Sequence, residues 1–160
     1  LCGPEGSGCL FVRADRLEEL LVPWPGYGSL ADPEQALEFE VAVGVGRLDH
    51  GFPIAMRSAW ALASLASFGE AGWDWVHQRA ASLAASLASR LDERGLEVQP
   101  RGRSTLISWR ADDAPAEVER LAAEQVVVRS IPALGLIRAS VGAWTSEAEI
   151  ERLVELAAAA

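Results

Sequence analysis

Apolar positions along this chain follow two regimes. From residue 73 to 94 they recur at spacings of three and four, through Val76, Ala80, Leu83, Leu87 and Leu91, which predicts a helix with one buried stripe. Gly95 stands where a left-handed cap belongs. An earlier helix is expected over 55–68, since Pro53 suits a first turn and no breaker follows until Gly69 and Gly72. Beyond residue 95 short apolar runs alternate with turns. Strands are expected over 96–98, 105–110, 126–129 and 136–141, with a helix over 115–124 behind Asp112 and Asp113. Ser146 and Glu149 form a capping box for a last helix, whose apolar face is Ile150, Leu153, Val154 and Ala157. This ββαββα order after a long helix predicts an α/β fold, an open sheet covered by helices on one side.

The first fifty residues hold no such period. A glycine-rich loop, Gly3-Pro4-Glu5-Gly6-Ser7-Gly8, runs into Cys9-Leu10-Phe11-Val12, which reads as a short strand. Residues 15–21 make about two helical turns. Pro23, Pro25, Gly26, Gly28 and Pro33 then mark a long irregular connection, and Gly44, Gly46 and Gly51 punctuate another. Trp24 and Tyr27 sit inside the first connection, where aromatic rings need cover; a partner subunit is one candidate.

Composition narrows the chemistry. Among 160 residues there is no lysine: all 14 basic side chains are arginine, against 23 acidic ones, for a net charge of −9. Schiff-base lysines, a P-loop lysine and lysine general bases are therefore excluded within this chain. The acidic balance argues against nucleic acid and against an anionic membrane surface as partners. The longest apolar stretch, 54–68, is interrupted by Arg57 and is too short to span a bilayer. Cys2 and Cys9 lack metal-binding spacing and are expected to be reduced, buried thiols. With no charged-then-apolar leader ahead of them, a cytoplasmic protein is expected.

Few residues carry candidate chemistry. The Gly3–Gly8 loop could cradle an anion through its backbone N–H groups, or be a tight turn; no lysine and no helix follow it, so neither a P-loop nor a dinucleotide fingerprint fits. His77 falls on a helix surface, four residues from Trp73. His50 lies in a glycine-flanked loop beside Asp49, a weak acid–base pairing. No serine occupies a G-x-S-x-G setting. Arg138 is the sharpest candidate, because it interrupts the apolar strand Leu136-Ile137-Arg138-Ala139-Ser140-Val141. A buried guanidinium needs an anion, and its planar fork suits a carboxylate. The bland alternative is an arginine facing water by simple alternation. Arg129, ending the preceding strand, is expected to be solvated.

These segments, taken in order, resemble the C-terminal part of class V aminotransferase-fold, pyridoxal-phosphate enzymes, the group of cysteine desulfurases and isopenicillin-epimerase-like proteins. The run from Leu1 to Val12 resembles the segment that follows the family's His-Lys pair, and Phe39-Glu40 resembles its Phe-Glu. Val128-Arg129-Ser130-Ile131-Pro132 and Ile137-Arg138-Ala139-Ser140-Val141 resemble its closing strands, and Thr145-Ser146-Glu147-Ala148-Glu149-Ile150 its last helix. The resemblance implies a fold-type I small domain over 73–160, with an open, largely antiparallel sheet, preceded by a remnant of the large cofactor domain over 1–72. It implies pyridoxal 5'-phosphate in the complete enzyme, an amino-acid substrate and a homodimer. The Schiff-base lysine would precede Leu1, so this chain alone is expected to be inactive. Arg138 matches the arginine that holds the substrate carboxylate. The family's phosphate-contacting Gly-Thr has no clean equivalent; Gly46 and Arg47, or the Leu48-Asp49 pair, are the candidates for its place. Neither cysteine matches the mobile cysteine of the desulfurases. A non-catalytic binding module derived from the small domain is the alternative of a different class.

Overall fold

The computed structural model describes residues 3–6, 8–35, 37–49 and 55–158, and the predicted stripe is the buried face of its longest helix. That helix and all the strands belong to the second of two compact units, Leu1–Ser67 and Phe68–Ala160.

In the second unit α2 (Trp73–Glu93) buries Val76, Ala80, Leu83, Ala84, Leu87 and Leu91. Gly95 adopts φ +84 just beyond its end, a left-handed conformation that costs glycine little. Three antiparallel strands, β1 (Leu106–Arg110), β2 (Arg129–Ile131) and β3 (Leu136–Ser140), form a sheet in the order β1-β3-β2. Helix α3 (Ala114–Ala123) is capped by Asp113, whose side chain accepts from the Ala116 N–H at 3.1 Å. Helix α4 (Glu147–Ala157) starts with the expected capping box of Ser146 and Glu149. One apolar cluster joins Leu83, Leu87 and Leu91 of α2 with Ile107 and Trp109 of β1, Leu121 of α3, Ile137 and Ala139 of β3, and the inner face of α4. The sheet is thus small, open and antiparallel, with helices packed on the Ile107–Ile137 face.

Two strand expectations shift. Residues 96–98 supply only a bridge, Val98 to Trp109, flanked by bonds from Gln99 N–H to Ser108 O and from Arg110 N–H to Glu97 O. Pro100 has no N–H to extend that ladder, and a turn closed by Ser104 N–H on Arg101 O takes over. The expected 126–129 strand begins only at Arg129. Gln125, at φ +62, and the Val126 N–H on Leu121 O belong to the termination of α3, so pairing with β3 starts later.

The first unit is built differently. Four short 3-10 segments, Ala14–Glu19, Tyr27–Ser29, Pro33–Gln35 and Val45–Leu48, precede α1 (Ala55–Ala71), within which the two units divide. The expected strand over 9–12 does not form: among the described residues no second strand pairs with it. Leu10 and Phe11 are exposed, and so is Cys9, contrary to the expectation of a buried thiol. Cys2 lies outside the described residues. Only Pro4 and Ser29 are buried among the unit's described residues. Ser29 ties it together, accepting from Gly26 N–H at 3.2 Å and donating to Asp49 O at 2.7 Å, while its carbonyl accepts from Ala42 N–H at 2.8 Å. Helix α1 buries no residue, and Met56, Trp60, Leu62 and Leu65 are exposed around its circumference. No helix among the described residues is long and apolar enough to cross a membrane.

Candidate functional site

Arg138 occupies the middle of the middle strand. Directly opposed residues of an antiparallel ladder share a face, and the register sets Arg138 opposite Ser108 on one side and Arg129 on the other. Ile107, Trp109, Ile137 and Ala139 point into the helix-covered core. By alternation Arg138, Arg129 and Ser108 therefore line the opposite face of the sheet. Arg138 is half-buried, and its Nε is buried without a hydrogen-bond partner among the described residues. Leaving such a donor unpaired costs on the order of 1–3 kcal/mol, more when it is charged.

The same face is short of counter-charge. None of the three strands contains an acidic residue, although the chain carries 23. Glu97, beside β1, is committed elsewhere. It pairs with Arg110 Nε at 3.2 Å and accepts from Gln99 Nε2 at 3.2 Å, and those two contacts, Gln99's first, hold its carboxyl below the ordinary value. Arg110 also donates to Leu134 O at 3.4 Å. Arg129 is exposed and makes no ion pair among the described residues. The arrangement can bind an anion: a buried donor, a second guanidinium one strand away, and no carboxylate on the strands to neutralise either.

A residue with no distinguishing sequence signal braces the turn after β3. Arg79 of α2 donates Nε to Ala143 O at 2.9 Å and Nη2 to Thr145 O at 3.4 Å, with its guanidinium 5.8 Å from the Trp75 ring centroid. The turn it holds is closed by Gly142 N–H on Thr145 Oγ1 and by Thr145 N–H on Gly142 O, both at 3.1 Å. Trp144 lies so close over Gly142 that a Cβ there would sit 2.4 Å from the indole. An arginine on the polar side of a helix gave no sequence signal for this brace.

The remaining candidates are described within their own units. Arg47 has an almost fully buried side chain, 11% exposed, and is engaged by its own unit: Nη1 meets Glu18 at 3.1 Å and Nη2 donates to Leu17 O at 2.5 Å and Leu20 O at 3.3 Å. A phosphate at Arg47 would have to displace Glu18. Gly46, in the same 3-10 turn, has open space where a Cβ would stand. Gly6 adopts φ +73, a tight turn against the Arg57 guanidinium. His77 is exposed and stacks on Trp73, with ring centroids 6.2 Å apart. His50 lies outside the described residues. Among the described residues no group of three metal-ligating side chains occurs.

Neither a protein-family model nor a curated protein matches this chain. Solved structures do. The cystine C-S lyase C-DES in complex with its product cysteine persulfide superposes with a TM-score of 0.83 at 23% identity, covering 98% of this chain and 43% of that one. A lysine-to-alanine variant of C-DES, with glycine covalently linked to its pyridoxal-phosphate cofactor, matches equally well. The cysteine desulfurase CsdA from Escherichia coli, in its S-sulfonic acid form, gives a TM-score of 0.77 at 20% identity, and the apo cysteine desulfurase from Thermococcus onnurineus NA1 gives 0.75 at 18%. The chain spans about two-fifths of each, 41–43% of their length. It has the fold of that part of a fold-type I pyridoxal-phosphate enzyme.

Proposed function

We propose that this chain is the carboxylate-binding part of a pyridoxal-phosphate enzyme of the class V aminotransferase group, acting on an amino acid. The observation that carries the reading is the buried, unpartnered Nε of Arg138, on a face whose strands hold no acid. A substrate carboxylate satisfies that donor and fixes the direction of the α-carbon relative to the sheet. Pyridoxal phosphate, when bound, supplies the electron sink for bonds to that carbon. No residue here can form the covalent link to it, since the chain has no lysine. The fit is thus partial: this chain offers the substrate anchor, and the remaining fold must offer the cofactor anchor. The exposed apolar residues around α1 support that division, because a helix apolar on all sides belongs inside a larger body. Exposed Trp24 and Tyr27 are in keeping with a homodimer of the complete enzyme. A cofactor phosphate held by Arg47 would compete with Glu18 and two backbone carbonyls, which engage its guanidinium.

The test is a titration of the 160-residue chain with L-alanine and with L-alaninamide, read from backbone amide shifts of β1 and β3. The acid should bind and the amide should not. Arg138→Ala should weaken alanine binding about tenfold or more, and Arg138→Lys should restore only part, because an ammonium lacks the bidentate fork. Equal behaviour of acid and amide overturns the assignment. The alternative, a non-catalytic binding module, draws on the closed apolar core of the second unit. Coding sequence upstream of Leu1 separates the two: an in-frame His-Lys supports the enzyme, and a start codon supports the module.

A further inference from the structure

Resting on that reading of Arg138, we infer that Arg79 is its positioning residue: by tying the turn after β3 to α2, it fixes the end of the strand that carries the anchor and keeps Arg138 Nε at its buried depth. The need for such a tie lies in the sheet. β1 pairs with residues 136–140 of β3 but β2 only with 136–138, so Arg138 is the last residue held on both sides. Where β2 would continue, a cleft of about 640 Å³ opens, lined by Val126, Val127, Val128, Ser140 and Val141. Among the described residues no backbone bond joins 126–128 to 139–141. Beyond Arg138 the sheet therefore secures the strand from the β1 side alone, ending with Val141 N–H on Thr105 O at 3.0 Å. A strand end held on one side opens locally at low cost unless something else anchors it.

Arg79 supplies that anchor from outside the sheet. Its Nε donates to Ala143 O at 2.9 Å and its Nη2 to Thr145 O at 3.4 Å. The Ala143 side chain is itself buried with Val76 and Ala80, which share the Arg79 side of α2. One turn residue is thus fixed to one helix through both its side chain and its carbonyl. Elsewhere in the chain Arg13, Arg16, Arg47, Arg110, Arg120 and Arg152 each meet a carboxylate. Arg79 belongs to none of those pairs and gives its charge to the two carbonyls, with the Trp75 ring beside it. Such charge-assisted bonds are stronger than neutral ones. The Gly142–Thr145 bonds close the turn on itself and do not reach α2. Arg79 makes the polar link between turn and helix, and through it between α2 and the strand of Arg138.

The experiment follows hydrogen exchange of the Arg138 Nε–H in the ligand-free 160-residue chain by NMR, with the amides of Leu87, Leu91 and Ile107 as the reference for global opening, and then titrates L-alanine. Arg79→Gln should speed the Nε–H exchange about tenfold, the reference amides by no more than about threefold, and should weaken alanine binding about threefold or more. Arg79→Lys should recover part of the Nε–H protection and of the affinity, since an ammonium can serve one carbonyl but lacks the second arm of the fork. Trp75→Leu, at an exposed position, should act in the same direction by about twofold, and it decides the question where Arg79→Gln does not fold. An arginine that only stabilises the fold would speed the Nε–H and the reference amides by the same factor, and that result overturns the inference. An unchanged Nε–H in Arg79→Gln, or in Trp75→Leu where it stands in, overturns it as well. If Arg79→Gln frees the Nε–H while the parent chain binds no alanine, the positioning stands and it is the carboxylate role of Arg138 that fails.

Discussion

The two units of this chain are similar in apolar content but opposite in what they do with it. Among the described residues the buried hydrophobic core lies between Val76 and Ala157, whereas Leu10, Phe11, Trp24, Tyr27, Leu37 and Trp60 of the first unit are exposed. The difference is one of spacing. Helical and strand periods put apolar side chains on one face, so α2, α3, α4 and the sheet close on one another. Between 9 and 48 the apolar residues sit among prolines and glycines with no period, and on α1 they circle the helix. A hydrophobic group stabilises a fold only where another surface removes it from water. The second unit supplies that surface itself.

The comparison breaks most readily at the core. Trp109 is 1% exposed between α2 and β3, and Trp109→Ala should cost about 3–5 kcal/mol of unfolding free energy. Trp60, which is 58% exposed on α1, should lose less than about 0.5 kcal/mol on the same change. Denaturant unfolding followed by circular dichroism checks both. Comparable losses would mean that α1 is packed after all. Hydrogen exchange adds a map: amides of α2, β1 and β3 should open only with global unfolding, and those of residues 14–48 through local opening at little cost.

Legibility in the sequence divides along the same line. The stripe of α2, the Ser146–Glu149 box, the Gly95 cap and the α/β order could all be read, because each rests on contacts within a few residues. The strands at 96–98 and 126–129 were displaced, because pairing depends on where a distant segment runs, here β1 for one and β3 for the other. The apolar run 9–12 has the composition of a strand but, among the described residues, no strand to pair with. At the site, Arg138 was legible as a charge inside an apolar strand. Its buried Nε and its register against Arg129 were not, since both need the ladder β1-β3-β2. Arg79 was illegible for the same reason: its partners, Ala143 and Thr145, are more than sixty residues away.

Smaller changes sharpen the picture within the second unit. Gly135 closes the Pro132–Leu134 turn at φ +62, where any Cβ meets the left-handed penalty, so Gly135→Ala should cost about 1–2 kcal/mol. Asp113→Ala removes the α3 cap and should cost about 1 kcal/mol. Thermal or denaturant unfolding measures both. Either variant matching the parent would show that this end of the unit does not share the cooperative core.

The smallest expected effect is an acid-dependent one, and it separates two carboxylates that are both held below their ordinary range. Asp15 is held down by the Arg13 guanidinium, and Glu149 by the Ser146 N–H and then the Ser146 hydroxyl, from an ordinary 4.5. For a carboxyl lowered on folding, the stabilisation is complete above the unfolded value. It fades as pH falls below that value and is gone once pH passes the folded one. Both side chains are exposed, so each local gain is modest. Only Glu149 caps a helix, α4, whose Ile150, Leu153 and Val154 enter the core; the Asp15 turn buries nothing. Glu149→Gln should therefore lower stability near neutral pH, with the deficit narrowing as pH falls through the range just below 4.5. Asp15→Asn should leave the same unfolding curve unchanged across that range. Unfolding of the three proteins between about pH 6 and about pH 3 decides it. A deficit for Glu149→Gln that stays constant with pH would show that Glu149 acts through packing and not through charge, and an acid dependence lost in Asp15→Asn would mean the first unit folds cooperatively with the second.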